Sequence, residues 1–571
     1  MSVKTEFASA VRSLPHKKKL VFSGLLLAGT LAFFLALGQG NRSLLVEIPK
    51  TGGFLYEGVI GAPRLVNPLL AISDTDRNLA ALIYSGLLRK DEGGKLIPDL
   101  AENFTVSANG RTYSFTLREG LIWHDGEPLT AADVAYTVAL AQNPVSGSIR
   151  VGNWQGVTVQ VKNQRQIVFN LPEPRSSFLV QTTLGILPAH IWKEISADNF
   201  VFSNQNLQPV GSGPYRLTEI KENSSGLPEY YELRPFTGFT LGVPNIKTVR
   251  IYFFPNENEL LAAYKDKSIN SLAGLAPASV LRLKPADTLV KKSPLPRVFG
   301  IFFNQNQAEI FTQKEVRLAL DLALDKKNIT DSVLKGFATP LDGPLPPGSF
   351  GYRPAKNEKL EAAARLAAAR AILARAGWQR GSDGILTKKR TTSSYRLAFT
   401  ITTVDVPELK AMAEAARREW KRLGAAVDIK ILDPSNLEQN VIRPRKYDAL
   451  LFGMATGNEG NLYPFWHSRE RLDPGLNIAM YTNASVDRLL EQIRTEQDDE
   501  KRETLIGQVY AELAADRPAV FLYSPNFTYI IPPKLKNFSM PAITLPADRW
   551  SNIYRWYIQT EKVWPIFAAK K

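Results

Sequence analysis

Two strand–helix–strand patterns, in different parts of the chain, constrain its fold more than any other feature of the sequence. The first occupies residues 248–275, with the strand "TVRIYFF", the amphipathic helix "NENELLAAYKDK" and the strand "INSLAGL". The second occupies residues 395–432, where Pro407 can begin the helix and Gly424 can end it. A crossover of this kind joins two parallel strands of one sheet. The sequence therefore predicts an α/β protein of two lobes, each built on a separate, mainly parallel sheet.

A third stretch predicts a strand followed by a helix. "RTYSFTLR" (111–118) alternates polar and apolar residues, which is the two-residue period of a half-buried strand. Thr130 and Asp133 match the capping box that begins a helix, and Asn143-Pro144 can end that helix. The stretch is therefore expected to fold as one strand, turn and helix unit.

A lysine cluster before an apolar run, "KKKLVFSGLLLAGTLAFFLALGQG" (17–40), predicts that the chain is exported. Residues 1–19 are expected to form a cytoplasmic basic segment, with the remainder beyond the membrane. Residues 20–38 are predicted to be a transmembrane anchor or a signal, because such a helix is about 27 Å long, near the hydrocarbon thickness. "ALG" (36–38) resembles a signal-peptide cleavage site, so both outcomes stay open. The anchored form would be a single-pass protein of the cell membrane with its main domain extracytoplasmic.

The absence of cysteine limits how an exported chain of this length can be held. The sequence has no thiol for a lipid tether or for a disulfide, so the fold must be stabilised by its apolar core alone. The net charge is +15, which could attract anionic lipid headgroups, wall polymers or acidic ligands. Nucleic-acid binding is not expected, because the basic residues form no long run beside aromatic residues.

No motif in the sequence predicts an enzyme, a cofactor or a metal. There is no G-x-S-x-G turn and no H-E-x-x-H motif, and the four histidines are far apart (His16, His124, His190, His467). "GSGPY" (211–215) lacks the lysine and the following hydroxyl of a phosphate-binding loop, so it is interpreted as a structural turn. Carboxylates are plentiful, but their spacing supports no acid/base pair.

Five segments together resemble the family 5 solute-binding proteins of ABC importers, the dipeptide, oligopeptide and nickel-binding group. They lie in family order: "NPLLAISDTDRNLAALIYSGLL" (67–88), "PDLAENFTVSANGRTYSFTLREGLIWHDGEPLTAADVAYTV" (98–138), "PVGSGPYRL" (209–217), "FTQKEVRLALDLALDKKNITDSVLKGFATPLDGPLPP" (311–347) and "NASVDRLLEQIRTEQDDEKRETLIGQVYAELAADRPAVFLY" (483–523). The resemblance covers residues from about 50 to 560.

The resemblance implies a bilobal, periplasmic-binding-protein-like fold of type II with an extra domain inserted in the first lobe. Strands near residues 295 and 525 would cross between the lobes, and the proline-rich "KKSPLPRV" (291–298) suits such a connection. The implied domains are a first lobe at 45–295 with its insertion at about 73–205, a second lobe at 296–524, and a return to the first lobe with a C-terminal tail at 525–571.

The resemblance also implies that the ligand lies between the lobes and pairs as an extended strand with exposed backbone. The matching segments are "IGAPRL" (60–65), with Ala62, Pro63 and Arg64, and "LLFGMATG" (450–457), with Gly453, Met454 and Ala455. The alternative for both segments is that they are buried strand ends.

Two departures from the family pattern follow the second segment. Peptide receptors of this group carry an aspartate there for the ligand's α-amino group, whereas this chain has Gly457 and Asn458, and Glu459 is the nearest carboxylate. "NLYPFWHS" (461–468) replaces the usual acidic-proline pattern, and its Tyr463 and Trp466 are expected either to wall a side-chain pocket or to pack in the core.

The resulting functional hypothesis is a membrane-anchored, monomeric receptor that captures oligopeptides and delivers them to an ABC permease. The chain has no Walker motif, so energy would come from cytoplasmic ATPase subunits. The alternatives are a peptide-sensing receptor without import and a nickel or metal-chelate binding protein, although histidine is scarce. An exported hydrolase is a further alternative, which retention rather than cleavage of a peptide would exclude.

Overall fold

The computed structural model describes residues 15–175, 177–283, 288–354, 361–391, 393–457, 460–540 and 543–568, excepting the side chains of 33–44 and 566–567. The strands are β1 Val46–Lys50, β2 Phe54–Ile60, β3 Leu88–Lys90, β4 Leu96–Pro98, β5 Ala101–Val106, β6 Thr112–Leu117, β7 Thr158–Val161, β8 Gln166–Asn170, β9 Tyr215–Glu222, β10 Pro228–Pro235, β11 Thr248–Phe254, β12 Ser271–Ala273, β13 Leu289–Pro294, β14 Arg297–Phe303, β15 Ala338–Pro340, β16 Gln379–Arg380, β17 Leu386–Lys389, β18 Ser394–Arg396, β19 Ala398–Val404, β20 Ala426–Leu432, β21 Ala449–Ala455, β22 Ala519–Ile531 and β23 Gln559–Val563.

The longer helices are His16–Leu44, Asp74–Ile83, Ala131–Gln142, Glu257–Lys265, Lys314–Ala323, Lys326–Leu334, Ala362–Arg375, Pro407–Leu423, Ala484–Thr495 and Asp499–Asp516. Helices of four residues are Val151–Trp154, Phe178–Gln181, Ala189–Trp192, Pro277–Val280, Pro434–Leu437, Tyr463–Trp466 and Pro565–Ala568. Turns of 3-10 helix are Pro144–Ser146, Asn204–Asn206, Glu309–Thr312, Ser468–Arg471 and Pro546–Arg555, and Glu438–Ile442 is a π-helical turn.

Both predicted crossovers form, and each lies in its own lobe. In the second, β19 and β20 pair directly in parallel, with the helix Pro407–Leu423 between them and Gly424 ending it at φ 115°. In the first, β11 and β12 are both parallel to β2 and lie on either side of it. The insertion of β2 between them is a long-range pairing that the local pattern does not contain.

The prediction of two separate, mainly parallel sheets is wrong. The 13-residue strand β22 pairs with β14 and β15 through its first half and with β12 and β13 through its second half. The two sheets are thereby joined in one hydrogen-bonded order, β20-β19-β21-β14-β22-β12-β2-β11-β10-β9. The strands that cross between the lobes are antiparallel to their neighbours, which makes both sheets mixed.

The strand and helix predicted around residue 120 are confirmed. β6 buries Tyr113, Phe115 and Leu117 on one face, as its alternation requires. The helix Ala131–Gln142 begins with a capping box of Thr130 and Asp133. β6 lies in a four-stranded antiparallel sheet of order β5-β6-β8-β7.

Two large clusters of buried apolar residues correspond to the two lobes. One is drawn from residues 298 to 523 and the other from residues 55 to 295 and 527 to 556. The four-stranded sheet around β6 contributes to the second of these clusters, so its core is continuous with that of the first lobe. The chain contributes to one core up to residue 295, to the other from residue 298 to 523, and to the first again from residue 527. These changes coincide with the two places where the backbone crosses between the lobes.

A 29-residue helix, His16–Leu44, precedes the first lobe, and β1 after it pairs antiparallel with β23 near the C-terminus. Within the described part of the chain, no helix is both long and apolar enough to cross a membrane. The side chains of residues 33–38 of the predicted anchor lie outside the described ones.

Candidate functional site

The two crossing connections lie side by side between the lobes. The Leu295 N–H donates to the Pro525 carbonyl at 2.9 Å, and the Ser524 Oγ donates to the Leu295 carbonyl at 2.7 Å. The strand that precedes Leu295 belongs to the first lobe and the strand that follows it to the second. The backbone therefore passes between the lobes twice, at two adjacent and hydrogen-bonded points, and the space between the lobes is termed the cleft.

The first-lobe segment of the candidate site is held by the N-terminus of the helix Asp74–Ile83. Thr75 Oγ1 donates to the carbonyls of Ile60 and Gly61 at 3.1 and 3.0 Å. Asp76 Oδ1 accepts from the N–H groups of Arg64 and Leu65 at 2.8 and 3.0 Å.

Side-chain exposure alternates along this segment, since Ala62 and Arg64 are exposed and Pro63 is buried. Among the described residues none accepts a hydrogen bond from the N–H of Ala62. The backbone of this segment is thus held in place, and the Ala62 N–H is available to donate a hydrogen bond.

The second-lobe segment is the C-terminal half of β21. β14 pairs with one edge of β21 from Ala449 to Ala455, whereas β19 pairs with the other edge at Ala449 and Leu450 alone. Within the described residues, no strand covers that edge from Phe452 onward. Met454 is buried and Ala455 is exposed. An uncovered strand edge is a template for pairing with an extended chain.

Gly453 is explained by a neighbour inside the lobe. A Cβ on Gly453 would lie 2.6 Å from the ring of Phe299, which stacks on Tyr523 with ring centroids 4.8 Å apart. The Phe299 ring is therefore sufficient by itself to require glycine at this position. This contact could not be predicted from the sequence, because Phe299 lies in a different strand.

Beyond β21 the chain turns at Gly457, whose φ is 70° and whose carbonyl accepts from Ser349 Oγ at 3.2 Å. Glu459, the predicted substitute for the missing aspartate, lies outside the described residues together with Asn458. Its role stays a prediction.

The two aromatic candidates occupy different environments. Tyr463 is partly buried, with its ring stacked on His467 at 4.2 Å and the Arg494 guanidinium 4.5 Å from its centre. Trp466 is 0% exposed and packs against Phe302, Phe521 and Tyr481. The structure therefore places Trp466 in the second-lobe core, which is the packing alternative, because no face of the indole is left for a ligand.

The lobes also meet away from the predicted segments, at a contact that the sequence analysis missed. Ala108, Asn109 and Gly110 form the turn between β5 and β6, and the side chain of Gln497 lies 3.2 Å from where a Cβ of Gly110 would be. Around this contact is a cavity of about 880 Å³ between the turn and the helices Ala484–Thr495 and Asp499–Asp516. The Asn109-Gly110 pair is a turn signal, but its partner is distant in sequence.

Two lobes joined by adjacent crossing strands, with an open strand edge beside them, define a two-lobed α/β binding protein. Residues 95–472 match the family described as bacterial extracellular solute-binding proteins, family 5 Middle. The chain therefore belongs to the family 5 extracellular solute-binding proteins.

Among its relatives is the oligopeptide-binding protein AppA of Bacillus subtilis, with 27% identity over 92% of this chain and 97% of AppA. The structure of B. subtilis AppA in complex with a nonapeptide is similar at a TM-score of 0.66, with 26% identity over 90% of this chain and all of AppA. The ABC transporter substrate-binding protein CtaP of Listeria monocytogenes is similar at a TM-score of 0.74, with 25% identity over 89% of this chain and all of CtaP.

Proposed function

We propose that this protein is an extracytoplasmic receptor that captures an extended peptide between its lobes and delivers it to an ABC permease with cytoplasmic ATPase subunits. The observation that carries the proposal is the uncovered edge of β21 from Phe452 to Ala455 in a member of a solute-binding family. The similarity to AppA, solved with a nonapeptide, supports a peptide as the ligand.

The ligand is proposed to pair through its backbone with two segments, Ala62–Pro63–Arg64 and Gly453–Met454–Ala455. Pairing through backbone groups is indifferent to side-chain identity, so the receptor would accept many sequences. The uncovered edge, the unused N–H of Ala62 and the exposed Arg64 and Ala455 support this arrangement. Tyr463 is the aromatic residue proposed to wall a side-chain pocket, with Trp466 supporting its helix from the core.

Whether Glu459 takes the place of the missing aspartate decides how the peptide's α-amino group is held. A hydrogen bond to a charged group contributes about 1.5–3 kcal/mol, or roughly tenfold to a hundredfold in affinity. If Glu459 holds the amine, a free-amine nonapeptide should bind that much more tightly than its N-acetylated form, and Glu459→Gln should remove the difference.

Isothermal titration calorimetry on this peptide pair makes the measurement. Glu229→Gln, which removes an exposed carboxylate from the first lobe, is the matched control and should leave both affinities unchanged. Equal affinities of the two peptides in the wild type would exclude Glu459 as the amine partner. Failure of every peptide to bind would exclude the peptide receptor itself.

Metal capture is the alternative within the same fold. Among the described residues, no group of three or more His, Cys, Asp and Glu side chains is placed to hold a metal ion. A nickel receptor of this sequence would therefore need a chelator supplied with the metal. A receptor that senses peptide without import would close on its ligand in the same way, so transport into vesicles with the reconstituted permease separates those two functions.

The boundaries given above for two lobes, an inserted domain at about 73–205 and a membrane anchor at 20–38 form part of the same proposal. The separate cores of residues 298–523 and of the remainder support the lobe boundaries. The lysine cluster and the apolar run of residues 17–37 support the anchor. Intact-mass measurement on native membranes tests it: retention of residues 1–38 is expected, and a mature N-terminus at Gln39 would instead identify a cleaved signal.

A further inference from the structure

A cavity of about 350 Å³ opens in the first lobe, apart from the cleft. Its walls come from the helix Asp74–Ile83, from residues 150–154 and 180–185, and from the 3-10 turn Pro546–Arg555. Thr75 and Asp76 of that helix hold the cleft segment, whereas Arg77, Ala80 and Ala81 line the cavity. Different residues of one helix therefore line the cavity and hold the cleft segment in place.

The lining carries more positive than negative charge. Its cations are Arg77, Arg89, Lys90 and Arg150, and its anions are Asp99 and Asp548. The two carboxylates already have cationic partners within the wall. Arg89 Nε lies 2.8 Å from Asp99 Oδ2, and Lys90 Nζ lies 3.9 Å from Asp548 Oδ2. The other two cations of the lining are guanidinium groups that have no carboxylate partner among the described residues of the wall.

Arg77 and Arg150 are those two groups. Arg77 Nε donates to the Ala71 carbonyl at 3.3 Å, and Arg77 is 3.7 Å from Asp74, but that carboxylate is 62% exposed and the ion pair is accordingly weak. Among the described residues the buried Nε of Arg150 has no hydrogen-bond partner. Burial, together with the charge of Arg77, lowers the pKa of Arg150. Two such cations at one cavity repel each other, and an anion between them would relieve the repulsion.

A neutral donor on another wall of the cavity also lacks a hydrogen-bond partner. The Oγ of Ser551 is buried and, within the part of the chain that the structure describes, has no hydrogen-bond partner. Buried polar atoms are seldom left unpaired, because removing them from water without a partner costs about 1–3 kcal/mol. Arg150 and Ser551 both line this cavity and both carry a buried donor without a partner in the described structure, so the cavity offers unsatisfied donors on two of its walls to a group with several acceptor oxygens.

We propose that this first-lobe cavity binds a small solute through an oxyanion group, phosphate or carboxylate, held by Arg77 and Arg150 with Ser551 as a further donor. Guanidinium groups recognise both oxyanions by paired N–H···O hydrogen bonds. The volume exceeds what one oxyanion fills, so the group is carried on a small organic body or accompanied by water. Since its residues are separate from the cleft, this site takes its ligand independently of the peptide.

Titration calorimetry on the full-length protein tests the site, with inorganic phosphate and citrate as probes and sodium chloride at matched ionic strength as the blank. Wild type should bind at least one of the two, and the tighter one identifies the oxyanion. Arg77→Gln and Arg150→Gln should each weaken binding by about tenfold or more. Arg380→Gln, at an exposed arginine of the second lobe, should leave it unchanged.

Arg150→Lys and Ser551→Ala are milder substitutions that keep the proposal testable if the glutamine variants do not fold. Arg150→Lys keeps the charge and should retain weakened binding, and Ser551→Ala should cause a smaller loss. Far-ultraviolet circular dichroism checks that each variant is folded. Absence of heat with both probes, or equal affinity in wild type and in folded Arg150→Lys, Ser551→Ala and Arg77→Gln, would overturn the proposal.

Discussion

At the scale of single residues, His124 fixes the glycine-rich segment 211–215 against the end of the helix Asp74–Ile83. Its Nδ1 accepts from the Gly211 N–H at 3.3 Å, and its Nε2 lies 3.0 Å from the Gly213 carbonyl. The proton therefore belongs on Nε2, and the ring is neutral. A Cβ on Gly211 would lie 2.0 Å from the Ile83 carbonyl oxygen, so close approach requires glycine here. The segment is a structural turn, as its sequence predicted.

The pKa of His124 gives the stability of the first lobe a defined pH dependence. Burial lowers this pKa to about 4, whereas an unfolded histidine titrates near 6.5. The stabilisation is therefore complete above pH 6.5 and is lost as pH falls toward 4, because the unfolded state takes up the proton first. Between pH 7 and pH 5 the expected loss is about 2 kcal/mol.

Urea denaturation at the two pH values measures this loss. The comparison is with His124→Gln, whose amide can donate to the Gly213 carbonyl but does not titrate. The variant should be less stable at pH 7 and should lose less stability on acidification than the wild type. Identical pH slopes in the two proteins would contradict the assignment of the effect to His124.

At the scale of strands and helices, local patterns were readable and long-range pairings were not. The alternation of Tyr113, Phe115 and Leu117 and the caps at Thr130 and Gly424 each lie within one element, and all were predicted correctly. The joining of both sheets through β22 and the position of β2 between β11 and β12 depend on residues hundreds of positions apart. A period within a strand does not specify which strand lies beside it.

The candidate site shows the same division. The segments 60–65 and 450–457 could be recognised by resemblance, since they are short and contiguous. Burial of Trp466 could not, because an aromatic residue serves equally as pocket wall or as core until its neighbours Phe302 and Phe521 are known. The requirement for Gly453 likewise comes from Phe299 in the neighbouring strand.

The contact of Gly453 with Phe299 predicts how β21 responds to substitution. Gly453→Ala should destabilise the second lobe by about 1–3 kcal/mol, because the added methyl group would overlap the aromatic ring. In the Phe299→Leu background the same substitution should cost less, because the smaller side chain can move aside. Urea unfolding of the four proteins gives the coupling energy. Ala455→Ser, at an exposed position of the same strand, is the control and should leave the free energy of unfolding nearly unchanged. If the losses in unfolding free energy from Gly453→Ala and Phe299→Leu are additive, the contact is refuted.

At the scale of the whole molecule, three of the connections between the lobes, all among the described residues, differ in whether they can separate. Two are the backbone crossings at Leu295 and Pro525, which are hydrogen-bonded to each other and are covalently continuous with both lobes. The third, between the Asn109-Gly110 turn and Gln497, involves no covalent link and can separate. Separation of the lobes would therefore break this third contact and leave the crossings intact.

Ligand-driven closure follows from this arrangement, because a peptide held by both lobes favours the closed state by its additional contacts there. The absence of cysteine allows a direct test, since Ala108→Cys and Gln497→Cys would supply the only two thiols in the chain. A short bismaleimide should join them faster when a nonapeptide is bound. A Gln492→Cys and Gln497→Cys pair, both in the second lobe, should react at a rate that peptide does not change. Small-angle scattering on the unsubstituted protein should show a smaller radius of gyration with peptide. Equal cross-linking rates and equal radii, with and without saturating peptide, would show that the lobes do not close on their ligand.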